Sequence, residues 1–568
     1  MKNRLLVLAI GTVFASFGCG LSSISASPKP VQGKKGVVTT SQRYASEVGL
    51  QILQAGGNAV DAAVAVGYAL AVVDPCCGNL GGGGFMTIHL ANGKNTFINF
   101  REKAPLAATR DLYLDKNGNV IPGLSTAGYL AVGVPGTVLG LDQALAKYGT
   151  MSGKRVISPA IKLAEKGYIL QQGDVNLLST STASFATQPN VAAIFLKNSK
   201  TPYQTGDRLV QKNLAHTLKL IANQGPQAFY KGAIADQLVK ASRANKGILT
   251  KKDLADYTAE EVQPVSCSYR GYQLISSPPP GSGTVLCEML NVLEGYSLTS
   301  LGFRLPTSVQ RFLETMLYAY ADRNTYLGDP NFIQIPLQRL LSKSYAASIR
   351  AKIPASGATP PCLVYSCVNT NEGTNTTHYS IIDQYGNAVS VTYTINAPFG
   401  AGVIAGNTGF FLNNDMDDFT AKPGVPNLFG LVQGTNNVIA PGKRPLSSMS
   451  PTIIFKDGKL FMVTGSPGGS RIITTVLEAI TNVIDYRLNI QEAVDYPRFH
   501  YQGLPNLINV EQNSLPPATI QELTKTGFIF DSQNRTWGAS ESILVDPKTG
   551  LLNGAIDRRR PAGAALAY

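Results

Sequence analysis

The chain has 568 residues, 44 % of them apolar and 15 % charged. That composition excludes a disordered chain, and the length exceeds one ordinary core, leaving two domains or one large layered α/β body. The net charge of +13 is scattered, with Arg558 to Arg560 as the longest basic run; no zinc-finger spacing, RNA-binding signature or basic helix accompanies it, so nucleic acid is not an expected partner. Lys2 and Arg4 precede a short apolar run, Leu5 to Ala15, and small residues follow. Residues 1–26 therefore read as a signal peptide cleaved near Ala26, which implies an exported protein, periplasmic or secreted. Cys19 after Gly18 gives a faint outline of a lipoprotein site, weakened by Ser16 upstream. No later stretch is expected to span a bilayer: the apolar run Ala62 to Val73 is too short and follows Asp61.

Seven cysteines and four histidines are present, with no CxxC pair and no His/Cys cluster, so no metal site is expected. In an oxidising compartment Cys362 and Cys367 are spaced to close a small loop, whereas the adjacent Cys76 and Cys77 are not expected to bond to each other. VTTSQRYASEVGLQILQAGGNAVDAAVAVGYALAVVDP predicts two helices joined at Gly56-Gly57, the second buried on most sides. CCGNLGGGGFMTIHL is a glycine loop entering a strand. Without a following Lys-Ser/Thr pair it suits close backbone packing better than a phosphate cradle. Leu106 to Ile353 mixes helices with short strands, among them the hairpin VSCSYRGYQLISS and the amphipathic helix SVQRFLETMLYAYADRNTY.

Ala355 to Asn375 is loose and is the best linker candidate. TTHYSII, the turn DQYGN and AVSVTYTIN then predict a hairpin. Pairing Ile382 with Ala388 aligns Ser380 with Ser390, His378 with Thr392, and Thr376 with Thr394. Alternation places Thr376, His378, Thr392, Thr394 and Asn396 on one polar face, and Val389, Val391, Tyr393 and Ile395 on a core face. A second hairpin, PTIIFKDGKLFMVTGS, leads through SPGGS into the helix RIITTVLEAITNVIDY, putting Gly468 and Gly469 where free N–H groups face an anion.

Thr376 suits a nucleophile made by self-cleavage. Breaking the Asn375–Thr376 bond would give Thr376 an α-amine of pKa about 7.7–8.0, able to take the hydroxyl proton near neutral pH. Plainer readings stand beside it: strand threonines are common for packing reasons, Asn375-Thr376-Thr377 is also a glycosylation sequon, and His378 is either a base or a polar residue of the sheet face.

TTHYSIID, YTINAPFGAG, LNNDMDDF, KRPLSSMSPTII and VTGSPGGSRIITTVLEAI, in this order, resemble the γ-glutamyltranspeptidase (glutathione hydrolase) family of N-terminal nucleophile hydrolases; NFREKAPLAATRD and GGNAVDAAVAVGYALAVVDP resemble its large subunit. The resemblance implies an α+β fold, a four-layer αββα sandwich. It also implies a proenzyme cut between Asn375 and Thr376 into chains 27–375 and 376–568 that stay together as a heterodimer. Thr376 resembles the nucleophile, Thr394 its assisting hydroxyl, and Gly468 and Gly469 the oxyanion hole. Arg101, Ser447 and Ser448 resemble the groups that hold the substrate α-carboxylate, and Asn396, Asp415 and Asp418 those that hold its ammonium. Asp415 stands where relatives usually carry Glu or Gln. Phe429 stands where several bacterial relatives carry a lid tyrosine, implying a lid that is present but less firmly latched. The implied substrates are glutathione and other γ-glutamyl compounds, with water, amino acids or dipeptides as acceptors and no cofactor. The rivals are a cephalosporin acylase or poly-γ-glutamate-cleaving relative, and a non-catalytic surface protein on the same scaffold.

Overall fold

A computed structural model of the chain describes residues 27–365, 376–533 and 535–568. The expected signal peptide with Cys19, and Cys367 and Asn375, lie outside the described residues.

Among the described residues, two seven-stranded antiparallel sheets form the centre. The first runs, edge to edge, through Ala564–Ala567, Val37–Thr40, Thr377–Ile382, Ala388–Thr394, Gly83–His89, Asn95–Asn99 and Glu260–Val262. The second runs through Val31–Gly33, Leu552–Ala555, Ser542–Val545, Lys459–Thr464, Thr452–Lys456, Tyr272–Ser276 and Val265–Tyr269. Their facing surfaces share an apolar cluster including Val37, Ile382, Ile453, Val463 and Ile543. Hydroxyls bridge them too: Ser380 Oγ donates to Glu541 O at 2.8 Å and Ser390 Oγ to Thr464 O at 3.0 Å. Helices Arg43–Gln54 and Ala59–Val73 cover the outer face of the first sheet, and Gly283–Glu294, Pro306–Tyr326 and Ile472–Ile484 cover that of the second. The architecture is the four-layer αββα sandwich.

The expected hairpin register is the one observed. Ile382 pairs with Ala388, Ser380 with Ser390, and His378 with Thr392. Val389, Val391, Tyr393 and Ile395 all enter the core beneath the alanine-rich helix. That helix starts at a capping box, Asn58 Oδ1 accepting from the Val60 and Asp61 N–H groups and Asp61 Oδ2 from the Asn58 N–H. Its small side chains let the hairpin approach its backbone: Tyr379 Oη donates to Ala63 O and Tyr393 Oη to Gly67 O, each at 2.9 Å. Each such bond contributes about 1 kcal/mol beyond the burial of the ring.

The glycine loop packs backbone against backbone, as its lack of a phosphate-binding pair implies. A Cβ on Gly82 would overlap the carbonyl oxygen of Thr394, and one on Gly81 the carbonyl of Phe411. Gly82→Ala should therefore displace the strand that carries Thr394, destabilising the protein by about 3 kcal/mol. A lowered denaturant midpoint at unchanged slope, together with impaired activity, is the expected result.

The cysteines correct one expectation. Cys76 and Cys77 are bonded to each other, in the buried turn that follows helix Ala59–Val73. Adjacency alone argued against this pair, but the turn directs both side chains into one buried space. A second disulfide, Cys267–Cys287, ties strand Val265–Tyr269 to helix Gly283–Glu294. Cys362 is also disulfide-bonded.

Candidate active site

Thr376 sits just before the first residue of strand Thr377–Ile382 and is 4 % exposed. Thr394 ends the neighbouring strand, and its hydroxyl donates to Thr376 Oγ1 at 3.4 Å. The Asn396 N–H donates to Thr394 Oγ1 at 2.8 Å, which orients the Thr394 proton toward Thr376. Asn396 achieves this with a left-handed backbone, φ 75°. His378 is not a base here. Burial pushes its imidazole down to about 3, so it is neutral, and both ring nitrogens are used, Nδ1 with Thr392 Oγ1 at 2.8 Å and Nε2 with Ser380 Oγ at 3.0 Å.

Thr376 opens on a small pocket with about 290 Å³ of empty space, lined also by Thr394, Asn396, Asp418, Ser447 and Ser448. Gly469 and Phe429 complete two of its walls. Gly468 and Gly469, at φ 140° and 60°, open a 3₁₀ turn, Gly469–Arg471, that leads into helix Ile472–Ile484. N–H groups at such a start have no intrahelical acceptor. Gly468 itself lines the adjoining cavity with Trp537 and Arg559. Ser447 and Ser448 lie on a segment stitched to the loop 278–282: the Ser447 N–H donates to Pro280 O at 2.7 Å and Ser282 Oγ to Ser447 O at 2.6 Å.

Arg101 is fully buried behind this pocket and does not line it. Nη1 binds Asp415 Oδ1 and, at 3.2 Å, Glu102 Oε2; Nη2 binds Asp418 Oδ2. The residues expected to grip opposite ends of a substrate are thus paired with one another. Asp415 is likewise behind the lining, and its carboxyl lies against that of Glu102. Burial, and then the nearby Asp415 carboxylate, holds the Glu102 carboxyl well above its usual range. Burial, with the carboxylates of Asp415 and Asp417, pushes Asp418 up to about 7 despite Arg101.

Phe429, the expected lid residue, is 4 % exposed and lines the pocket. Its segment is held through the backbone: Gln502 Nε2 donates to Phe429 O at 3.2 Å, and the Leu428 N–H donates to Asp417 Oδ2 at 2.8 Å. A phenol hydroxyl on this lid adds a polar anchor, so Phe429→Tyr should lower KM and slow proteolysis of the loop; unchanged values of both would refute the loosened lid.

One lining residue carries no motif that would single it out. Arg323, on helix Pro306–Tyr326, lines the pocket beside Ser448. A single arginine in a helix of mixed polarity carries no signal of its own. Among the described residues, the group of metal-ligand type is Asp74, Cys76 and Cys77, whose two sulfurs are spent on each other.

A buried hydroxyl at the head of an inner strand, a second hydroxyl aimed at it, and a small pocket carrying charges of both signs define an amide-cleaving enzyme of the αββα class. A sequence profile of the γ-glutamyltranspeptidase family matches residues 45–567. The chain is 53 % identical, over the full length of both, to a glutathione hydrolase proenzyme of Pseudomonas sp. strain A14. It is 50 % identical to the glutathione hydrolase proenzyme of Escherichia coli K12, covering 93 % of this chain and 91 % of that one. The crystal structure of a cephalosporin acylase from Bacillus halodurans superposes with a TM-score of 0.84 at 28 % identity, over 99 % of each chain. The chain belongs to the γ-glutamyltranspeptidase family and is an enzyme of that family.

Proposed function

We propose that the protein cuts itself between Asn375 and Thr376 and then uses Thr376 to cleave γ-glutamyl amides, glutathione above all. The observation that carries the substrate class is the pocket's charge pattern: Asp418 and a guanidinium face the same small space as Thr376. An α-amino acid head group is a zwitterion, and a cavity with one charge of each sign matches it. The ammonium meets Asp418 and Asn396, and the α-carboxylate meets Ser447 and Ser448. Arg101 enters by exchange: as the ammonium takes over Asp418, part of the guanidinium is released toward the carboxylate.

Thr376 Oγ attacks the γ-carbonyl while the α-amine on the same residue takes its proton. Thr394 donates to the oxygen as it gains charge, and the Gly468 and Gly469 N–H groups receive the oxyanion. The amine returns its proton to the leaving nitrogen, and water, an amino acid or a dipeptide then releases the γ-glutamyl group from the ester. Residues 27–375 and 376–568 form the two chains of the mature heterodimer; each contributes strands to both sheets, which supports a cut pair that stays together. Export to the periplasm or medium is supported by the Cys267–Cys287 disulfide and the N-terminal sequence pattern. No helix among the described residues is long and apolar enough to cross a membrane.

The fold's likeness to a cephalosporin acylase keeps a second reading in view. A glutaryl group lacks the ammonium and would leave Asp418 unpaired. Rates on γ-glutamyl and glutaryl anilides therefore decide: preference for the γ-glutamyl compound supports the proposal, and preference for the glutaryl compound overturns it.

Asp418 also sets a pH dependence. Only its ionised form holds an ammonium, so the Ki of L-glutamate should rise up to about tenfold per pH unit below about 7. Because its folded pKa lies above the unfolded value of about 3.9, its contribution to stability falls as pH rises from about 4 to about 7. Affinity and stability thus move in opposite directions across that window, and Asp418→Asn removes both slopes.

A further inference from the structure

Arg323 is 1 % exposed, yet among the described residues no carboxylate contacts it. Nε donates to Ser282 Oγ at 3.2 Å, Nη1 to Asn324 Oδ1 at 3.0 Å, and Nη2 to Ser448 Oγ at 3.1 Å. All three acceptors are neutral. The contrast with Arg101, wrapped by three carboxyl groups a short way behind Asp418, is direct. A guanidinium has five N–H donors, so two of those on Arg323 remain beyond these bonds. Burying a cation without an anion is costly, and bridging three neutral groups does not require a charge. Burial, uncompensated by a contacting carboxylate, pulls the Arg323 guanidinium down to about 10, where it is still charged at neutral pH.

Its position is also informative. Arg323 lines the pocket that holds Thr376, on the same wall as Ser447 and Ser448. Three residues earlier on the same helix, Tyr320 Oη donates to Ser470 O in the Gly469–Arg471 turn. The helix therefore fixes the guanidinium and the oxyanion turn as one unit. Ser448 Oγ accepts from Arg323, which leaves the hydroxyl proton free to point into the pocket.

We infer that Arg323 is a second carboxylate-binding residue of this site: it meets the α-carboxylate of the γ-glutamyl group directly with its remaining N–H donors and aims the Ser448 hydroxyl at the same group. Unlike Arg101, it needs no exchange of ion-pair partners to do so. The inference rests on the γ-glutamyl reading above and assigns to this chain a specificity residue for the substrate's carboxylate end.

Three anilides test it. The γ-glutamyl anilide carries both head-group charges, the 4-aminobutyryl anilide lacks the α-carboxylate, and the glutaryl anilide lacks the ammonium. Arg323→Met should lower kcat/KM for the γ-glutamyl compound about 100-fold, chiefly through KM, and leave that for the 4-aminobutyryl compound within about threefold. Asp418→Asn should do the reverse on the glutaryl compound, leaving it near its wild-type rate. Equal losses on γ-glutamyl and 4-aminobutyryl substrates would show that Arg323 only supports the fold and would overturn the inference. Two fragments on a denaturing gel show that the variant folded and processed. If Arg323→Met yields a single chain, Arg323→Lys takes its place: it keeps the charge but loses the fork, and a roughly tenfold loss confined to carboxylate-bearing substrates is expected, with parallel losses again overturning the inference. Failure of the wild-type protein to turn over any γ-glutamyl anilide would instead sink the proposed function.

Discussion

Thr376→Ala should migrate as one full-length chain on a denaturing gel, where the wild-type protein gives two fragments, and its activity should fall by on the order of 10⁴-fold or more. Alanine keeps the backbone, the burial and the strand register, and removes only the hydroxyl. Thr394 Oγ1 loses its acceptor, a loss of about 1 kcal/mol, so the variant should fold nearly as stably as the parent. Thr376→Ser sharpens the result. It restores the hydroxyl without the methyl, so it should still process, more slowly, and the new chain should begin with serine at position 376. Thr394→Ala belongs between the two, because it leaves nucleophile and amine intact but withdraws the donor at 3.4 Å; a loss of about 10- to 1,000-fold in kcat is expected. Two fragments from Thr376→Ala would mean that an outside protease makes the cut, and the proposal of a self-made amine would fail.

How much of this was legible in the sequence follows from how local each signal is. The hairpin Thr377–Ile382 with Ala388–Thr394 was readable to the residue, because strict alternation on both arms and the DQYGN turn leave one register that buries Val389, Val391 and Tyr393 together. The glycine run was readable as close packing, since no phosphate-binding residues followed it. The polar face of the hairpin was readable as polar but not as internal: it meets a second sheet, and Ser380 and Ser390 are satisfied by carbonyls from far along the chain. The Cys76–Cys77 bond was misjudged because adjacency says nothing about the turn that directs the side chains. Arg323 was invisible for a similar reason. Its meaning comes from which groups surround it, Ser282 from one loop and Ser448 from another, and neither spacing nor residue type announces that no carboxylate is among them. The roles of Arg101, Asp415 and Asp418 were assigned by resemblance as separate contacts to a substrate; their mutual pairing is a consequence of burial that pattern matching does not contain.

That pairing predicts that Arg101→Met will be among the most destabilising single changes in the protein. The guanidinium is fully buried and bonded through both terminal nitrogens to carboxylates that are themselves buried. Removing it leaves Asp415 and Asp418 as like charges in a low-dielectric space, at a cost of about 3–5 kcal/mol. Both carboxyls would then sit further above their unfolded pKa of about 3.9, so the deficit should be greatest near pH 8 and shrink as pH falls toward 5, where the folded state takes up protons that the unfolded state does not. Arg101→Lys should not rescue it, because one ammonium cannot span two carboxylates that a planar fork reaches with separate nitrogens. The decisive variant combines Arg101→Met with Asp415→Asn and Asp418→Asn. It removes the charges together, so most of the lost stability should return, while activity on γ-glutamyl anilide stays abolished because neither end of the zwitterion is held. Denaturant midpoints across pH 5–8 read the first effect and steady-state rates the second. Unchanged stability in Arg101→Met would mean that these three side chains do not form a buried ion cluster, and the partner exchange on substrate entry would lose its basis. Recovery of stability without activity would separate what the cluster does for the fold from what it does for the substrate.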